Sequence, residues 1–269
     1  VDLIYRIPAV LFLVIALFAS IAIVGAGQQY VQRRFKGHDT LAHNEVGGII
    51  IAVSGSIYAV VLGFMTVVAW EHFQEARGLV VQEADADIDA WHTAVGLSPE
   101  VRVHLRSDVD TYAKIMIERE WPLMRKGGFD PDAAMVSMDA MDVVGSVVPK
   151  NSGEATAQLA TIEQLTIMHD ARQRRIAIND SGVSWFEWLV LLIGAVCIIC
   201  FCWLFGVKNR RMHLLMTSTI VTMIVSILVL LFELQYPFRS DVGINADAWE
   251  GAVSHLQQMK TGSMPNMRM

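Results

Sequence analysis

The sequence predicts an all-α polytopic membrane protein: four transmembrane helices, with a helical extramembrane bundle between spans two and three. Four apolar windows are each long enough to cross a hydrocarbon core about 30 Å thick as a helix, and none holds a charge at its centre. Of the 269 residues 54% are hydrophobic, mean hydropathy is +0.42, and nearly all charge sits in a few blocks. No strand-like alternation of useful length occurs.

The spans cover residues 7–27, 46–70, 183–207 and 212–234. A charge at mid-span costs roughly 2.5–3.5 kcal/mol, which places Glu187 and Glu233 near span ends, where they are expected to reach headgroups or water. Amphipathic aromatics mark the same boundaries, with Trp70, Trp185, Trp188 and Tyr236 at one interface and Tyr30 and Trp203 near the other. The first window is longer than the apolar stretch of a signal peptide and no clear small-residue cleavage site precedes Arg33, so it is read as a retained span.

Four crossings put the N-terminus, residues 71–182 and the tail 235–269 on one side. The two short loops on the other side carry Arg33, Arg34 and Lys36, then Lys208, Arg210 and Arg211. By the positive-inside rule these loops are cytoplasmic and the long segment, with 19 acidic against 11 basic side chains, is extracytoplasmic, as are both ends.

Within residues 71–182 the punctuation is helical. Phe73, Ala76, Val80, Ala84, Ile88 and Trp91 continue the period of span two, so that membrane helix is expected to project into solvent as far as Gly96. Ser98, Pro99 and Glu100 read as cap, first position and first-turn acid of a helix ending at Gly127 and Gly128. Asp130, Pro131 and Asp132 repeat that start; the helix they open stops before Pro149, and a fourth from 153 to 179 leads back to span three, giving a four-helix bundle.

Several patterns bear on function. A net charge of −6 without a concentrated basic surface argues against nucleic acid. Cys197, Cys200 and Cys202 lie in one apolar run and behave as small hydrophobes. In span two, Gly48, Ala52 and Ser56 recur every four residues, as do Gly55, Ala59 and Gly63, a pattern that lets helices approach closely, either between subunits or within one protomer. Beside them Ser54, Tyr58, Leu62 and Thr66 share about a third of the helix circumference. That stripe suits a narrow, hydrophobically gated pore, or hydroxyls bonded to their own backbone or to a neighbouring helix.

On the emerging helix Glu83, Asp85, Asp87 and Asp89 precede His92, but residues two apart point about 200° from each other, so only Glu83 and Asp87 share a face; a solvated acidic face is expected in preference to a cation site. His104, Asp108 and Tyr112 are expected as a solvent-facing row. His255, Met259, Met264, Met267 and Met269 offer soft ligands suited to Cu(I), within a tail whose Gly262, Ser263 and Pro265 read as a mobile terminus. No phosphate loop, zinc helix, dinucleotide turn or nucleophile elbow is present, so no enzymatic activity and no cofactor is expected.

One ordered set of short patterns runs along most of the chain: Asn44 and the Gly-rich second span with Tyr58, Gly63 and Phe64, then Trp70, Ala76 and Glu83. It continues through Tyr112, the Glu120-Trp121-Pro122 triplet, Arg174, Leu204-Phe205-Gly206 and Pro237-Phe238. In these residues the chain resembles the bestrophin-like family of bacterial membrane proteins, and the resemblance carries expectations of its own. It implies a multi-pass protein of the bacterial inner membrane and kinship with pentameric anion channels, whose large domain is cytoplasmic, whereas the loop charges here put the bundle outside. Two functions follow: a homo-oligomeric ion channel or pore lined by span two, or a non-transporting accessory subunit whose bundle docks another membrane complex. The second is motivated by the absence of ionisable residues at mid-span.

Overall fold

The structure, a computed structural model, describes residues 4–34, 44–205 and 209–261, all of whose regular elements are helical. Lys36, Gly206, Lys208, Gly262, Ser263, Met264, Pro265, Met267 and Met269 lie outside the described residues, and with them the expected mobile terminus. Helices long and apolar enough to cross a membrane are α1 (Ala9–Arg34), α2 (Asn44–Thr93), α7 (Trp185–Leu204) and α8 (Arg210–Leu234).

The 50-residue α2 is continuous, about 75 Å long at 1.5 Å per residue, and leaves the membrane without a break. Its outer half is alanine-rich, and Ala76, Ala84 and Ala90 are buried. These small side chains bring its backbone close to α6 (Ser152–Asp180), its main partner in the bundle. Gly96, in the short 3-10 turn ending α2, lets the corner sit on Ala157; a Cβ there would collide.

The bundle is completed by α3 (Pro99–Ile115), a π-helical turn (Met116–Glu120), α4 (Trp121–Met124) and α5 (Pro131–Gly145). Pro99 and Pro131 occupy the first turns as expected, Asp130 caps α5 by accepting from the Asp132 N–H, and Asn151 caps α6 through the Glu154 N–H. Gly127 at φ 76° makes the turn between α4 and α5, a backbone conformation that favours glycine.

The tail differs from expectation. Residues Asp247–Thr261 form α9, whose Trp249, Ala252 and Leu256 are buried in the bundle core. Spacings of three and four put these apolar side chains on one helix face, which supplies the energy that orders the segment. Glu187 is also more than a headgroup contact: it accepts from the Ser184 N–H at 2.8 Å while its own N–H donates to Ser184 Oγ at 3.3 Å, a capping box that starts α7. Glu233 at the end of α8 is buried, not extended into water.

At the bundle-side end of the membrane region the first described residues are tied to the segment after α8. Tyr5 stacks on Phe232 and donates to its carbonyl at 2.6 Å, and Asp241 accepts the Ala9 N–H at 2.9 Å. At the short-loop end, His213 on α8 joins Gln32 of α1 and the Cys202 carbonyl of α7, each at 3.0 Å.

Candidate functional site

The membrane half of α2 is nearly bare. Within its most apolar window 6% of residues are buried, against 17%, 22% and 28% for the other three spans. Where α2 does touch its own protomer, it does so through one narrow face. Leu62 and Ala69 are buried against Leu191, Leu231 and Leu234, and Tyr58 packs on both small membrane clusters with its ring over Gly194, where a Cβ would collide.

This phase revises the expected pore stripe. Tyr58 and Leu62 face α7 and α8 inside the protomer, so they cannot line an axis on the open side of α2. Thr66 is half-buried and its hydroxyl returns to the Leu62 carbonyl at 2.8 Å; Ser54 is exposed. Sequence reasoning failed here because span two is apolar on all sides, and hydropathy alone carries no phase.

The small-residue pattern lies differently. Ala52, Ser56, Ala59 and Gly63 are exposed and Gly48 and Gly55 half-buried, and a Cβ added at Gly48, Gly55 or Gly63 would meet nothing within 4 Å. The intraprotomer packing reading therefore does not hold at these glycines. At 100° per residue Ile49, Val53, Ser56, Val60 and Val67 lie about half a turn from Tyr58 and Leu62, and the four apolar members are more than half exposed. Those valines and isoleucine were not singled out in the sequence.

Outside the membrane α2 is anchored by a dry ionic network. Glu83, fully buried, accepts from Arg175 Nε at 2.6 Å, from Arg175 Nη2 at 3.0 Å and from the Tyr112 hydroxyl at 2.7 Å. Glu120, at the end of the π-turn, accepts from Arg172 Nε and Nη2 at 3.2 Å, from Arg175 Nη2 at 3.4 Å and from the Asp130 N–H at 2.6 Å. Arg172 also donates to the Asp130 carbonyl at 2.7 Å. Trp121 lies 5.0 Å from the Arg175 guanidinium, with Met116 and Met124 sulfurs on its other sides.

Two carboxylates and two guanidiniums thus share one neutral, fully hydrogen-bonded cluster, which is what makes burial of the charges tolerable. Burial lowers the Arg175 pKa, but the adjacent Glu83 carboxylate overrides it and the net shift is upward. Burial, reinforced by Glu83, pushes the Tyr112 hydroxyl well up, so it stays a neutral donor. The π-turn matters because its extra residue per turn re-aims the chain at a place where function often resides.

The expected solvated acidic face is therefore overturned for half its members. Asp85, Asp89 and His92 are exposed, but Glu83 and Asp87 are fully buried, because the face they share is the one α6 covers. Likewise His104 is exposed and Asp108 half-buried, but Tyr112 ends the row inside the core. Arg174 is exposed; its neighbours Arg172 and Arg175 make the buried contacts. Phe238 packs edge-on to Trp121 at 5.9 Å, beside Pro237 whose carbonyl accepts the Ile244 N–H; Pro122 opens the four-residue α4. Phe64 and Trp70 are exposed on the membrane half, and Asn44 begins α2. In the tail His255 is half-buried, its ring 6.1 Å from that of His92, and Met259 packs on the bundle core.

A sequence profile of the Bestrophin-like domain matches residues 18–249. The chain belongs to the Bestrophin-like family. Its fold agrees with that of a mutant bacterial bestrophin homologue from Klebsiella pneumoniae, at 14% identity and TM-score 0.68, covering 93% of this chain and 99% of the other. A second crystal structure of that homologue gives 14% identity and TM-score 0.68 over 94% and 99% of the two chains. A variant described as a membrane protein matches at 15% identity and TM-score 0.69 over 94% and 99%. No curated protein matches the sequence significantly. Within the Bestrophin-like family the buried network gathers five of the motif residues: Glu83, Tyr112, Glu120, Trp121 and Phe238 converge on one core.

Proposed function

We propose that this Bestrophin-like protein is a homo-oligomeric ion channel in which copies of α2 surround an axis and present Ile49, Val53, Ser56, Val60 and Val67 to it. The observation that carries the reading is the bare membrane half of α2, on which small residues leave room for another helix backbone. Branched apolar side chains around a narrow axis favour gating by dewetting, and the lack of mid-span charge suits ions passing a constriction better than a carrier binding them.

Currents across planar bilayers containing the purified protein test this. The reading predicts conductance that Val60→Ser increases and that Tyr58→Phe leaves alone; silence under gradients of several salts sinks it and favours the accessory-subunit reading. The six basic residues of the short loops support a reading in which the bundle and both ends of the chain lie on the periplasmic side of a bacterial inner membrane. Labelling of Asp89→Cys, in a background lacking Cys197, Cys200 and Cys202, by an impermeant maleimide on cells with a permeabilised outer membrane is then expected; labelling only after inner-membrane lysis would reverse the orientation.

A further inference from the structure

On the flank of the bundle, away from the open face of α2, α3 and α5 bring together three side chains that the proposed function does not use. His104 and Asp108 stand one turn apart on α3, and Asp139 reaches across from α5. His104 Nε2 lies 3.2 Å from Asp139 Oδ2 and 3.6 Å from Asp108 Oδ2, and the three donor atoms all fall within 4.8 Å of one another. One imidazole and two carboxylates are a donor set that first-row transition metals accept, and three protein ligands leave a fourth position for water.

A second observation lies directly behind Asp108. Asp108 packs beside Asp87, Ser137, Tyr112 and apolar groups around a gap too narrow to admit a water molecule. Asp87 is fully buried and neither of its oxygens has a donor; the buried Ser137 hydroxyl has no partner either. The other carboxylates nearby have cations of their own: Glu83 and Glu120 the two buried arginines, Asp110 the ammonium of Lys260, and Asp130 and Asp132 the guanidinium of Arg119. Asp108 and Asp139 have His104 between them, and among the described residues the buried Asp108 Oδ2 accepts no hydrogen bond.

We propose that His104, Asp108 and Asp139 form a binding site for a divalent transition-metal ion, with zinc the reference case, that clips α5 to α3. The ion replaces repulsion between Asp108 and Asp139 by shared coordination. Asp87 is the buried backing of the site and not a ligand. Because the ligands come from two helices, occupancy also ties the α5 hairpin to the rest of the bundle.

Full-length protein in detergent, stripped with a chelator and titrated first with Zn²⁺ and then with Co²⁺, tests this. One ion per chain is expected. His104→Ala and Asp139→Asn are each expected to weaken binding at least about tenfold, since losing even a group that only orients a ligand costs about 10–100-fold. Both side chains are more than half exposed, at 52% and 59%, so these variants keep the fold, which circular dichroism verifies. His104→Cys is expected to retain Co²⁺ and to add a sulfur-to-cobalt charge-transfer band. The paired change His92→Ala with His255→Ala is expected to alter nothing. No binding by the wild type, binding indifferent to His104→Ala and Asp139→Asn, or loss of binding only in the His92/His255 variant would each overturn the proposal.

Discussion

The two halves of α2 are one uninterrupted helix with opposite relations to the rest of the chain. Outside the membrane, Ala76, Leu79, Val80, Glu83, Ala84, Ala86, Asp87, Ala90 and Trp91 are buried, and Arg175 of α6 satisfies Glu83 from within the same chain. Inside the membrane Leu62 and Ala69 are the buried pair. The difference teaches where the chain is self-sufficient: the bundle closes its own core, whereas the membrane half leaves a face of small and branched residues for something else to cover.

The hardest break of the self-sufficient half is Arg175→Met. It leaves Glu83 buried without its cation and is expected to cost about 3–5 kcal/mol in denaturation followed by circular dichroism, the penalty of breaking a buried pair. Adding Glu83→Leu to that change restores most of the loss, because no charge is then stranded; a double variant as unstable as the single one contradicts the role given to the pair.

Glycine substitutions sharpen the contrast within the membrane. Gly194→Leu drives a side chain into the Tyr58 ring and is expected to destabilise the protomer by about 1–3 kcal/mol, as overpacking does. Gly63→Leu meets no neighbour in the protomer, so its thermal stability as a single chain stays unchanged while oligomer is lost on size-exclusion chromatography. Equal behaviour of the two variants would erase the distinction between the inner and outer faces of α2.

Asp87 gives a pH signature to the bundle. Its folded pKa is raised chiefly by burial, so above about pH 4, the ordinary carboxylate value, the unfolded chain releases a proton that the folded chain still holds. Stability therefore falls as pH rises from there toward the raised native value. In metal-free protein Asp87→Asn removes that slope and gains on the wild type with rising pH; parallel stability profiles would contradict it. The smallest effect is expected from Tyr58→Phe, whose hydroxyl has no partner: close to no change in stability by denaturation, and none in oligomer size.

Much of the architecture was legible because the signals are local. Pro99, Pro131 and the Gly127-Gly128 pair punctuate helices through backbone geometry that no distant contact has to supply. Features that depend on partners were not legible. Alternating acids from Glu83 to Asp89 read as solvated because nothing local announces that Arg175, 92 residues further on, meets Glu83. The α9 helix was hidden behind the Gly- and Met-rich composition that follows it, although Trp249, Ala252 and Leu256 already stood on one face. In span two the phase was undetermined because every face is apolar, and only contacts with the other spans, Tyr58 on Gly194 and Leu62 and Ala69 on α7 and α8, fix which side points inward. Resemblance, by contrast, located residues of the ionic core without telling that they meet.

Native mass spectrometry of the full-length chain released from lipid nanodiscs tests most directly whether other copies cover the open face of α2. A mass that is an integer multiple of the single chain, falling to one chain in Gly63→Leu, is the predicted result; a wild-type protein that flies as one chain, with the same lipid complement as the variant, would contradict it.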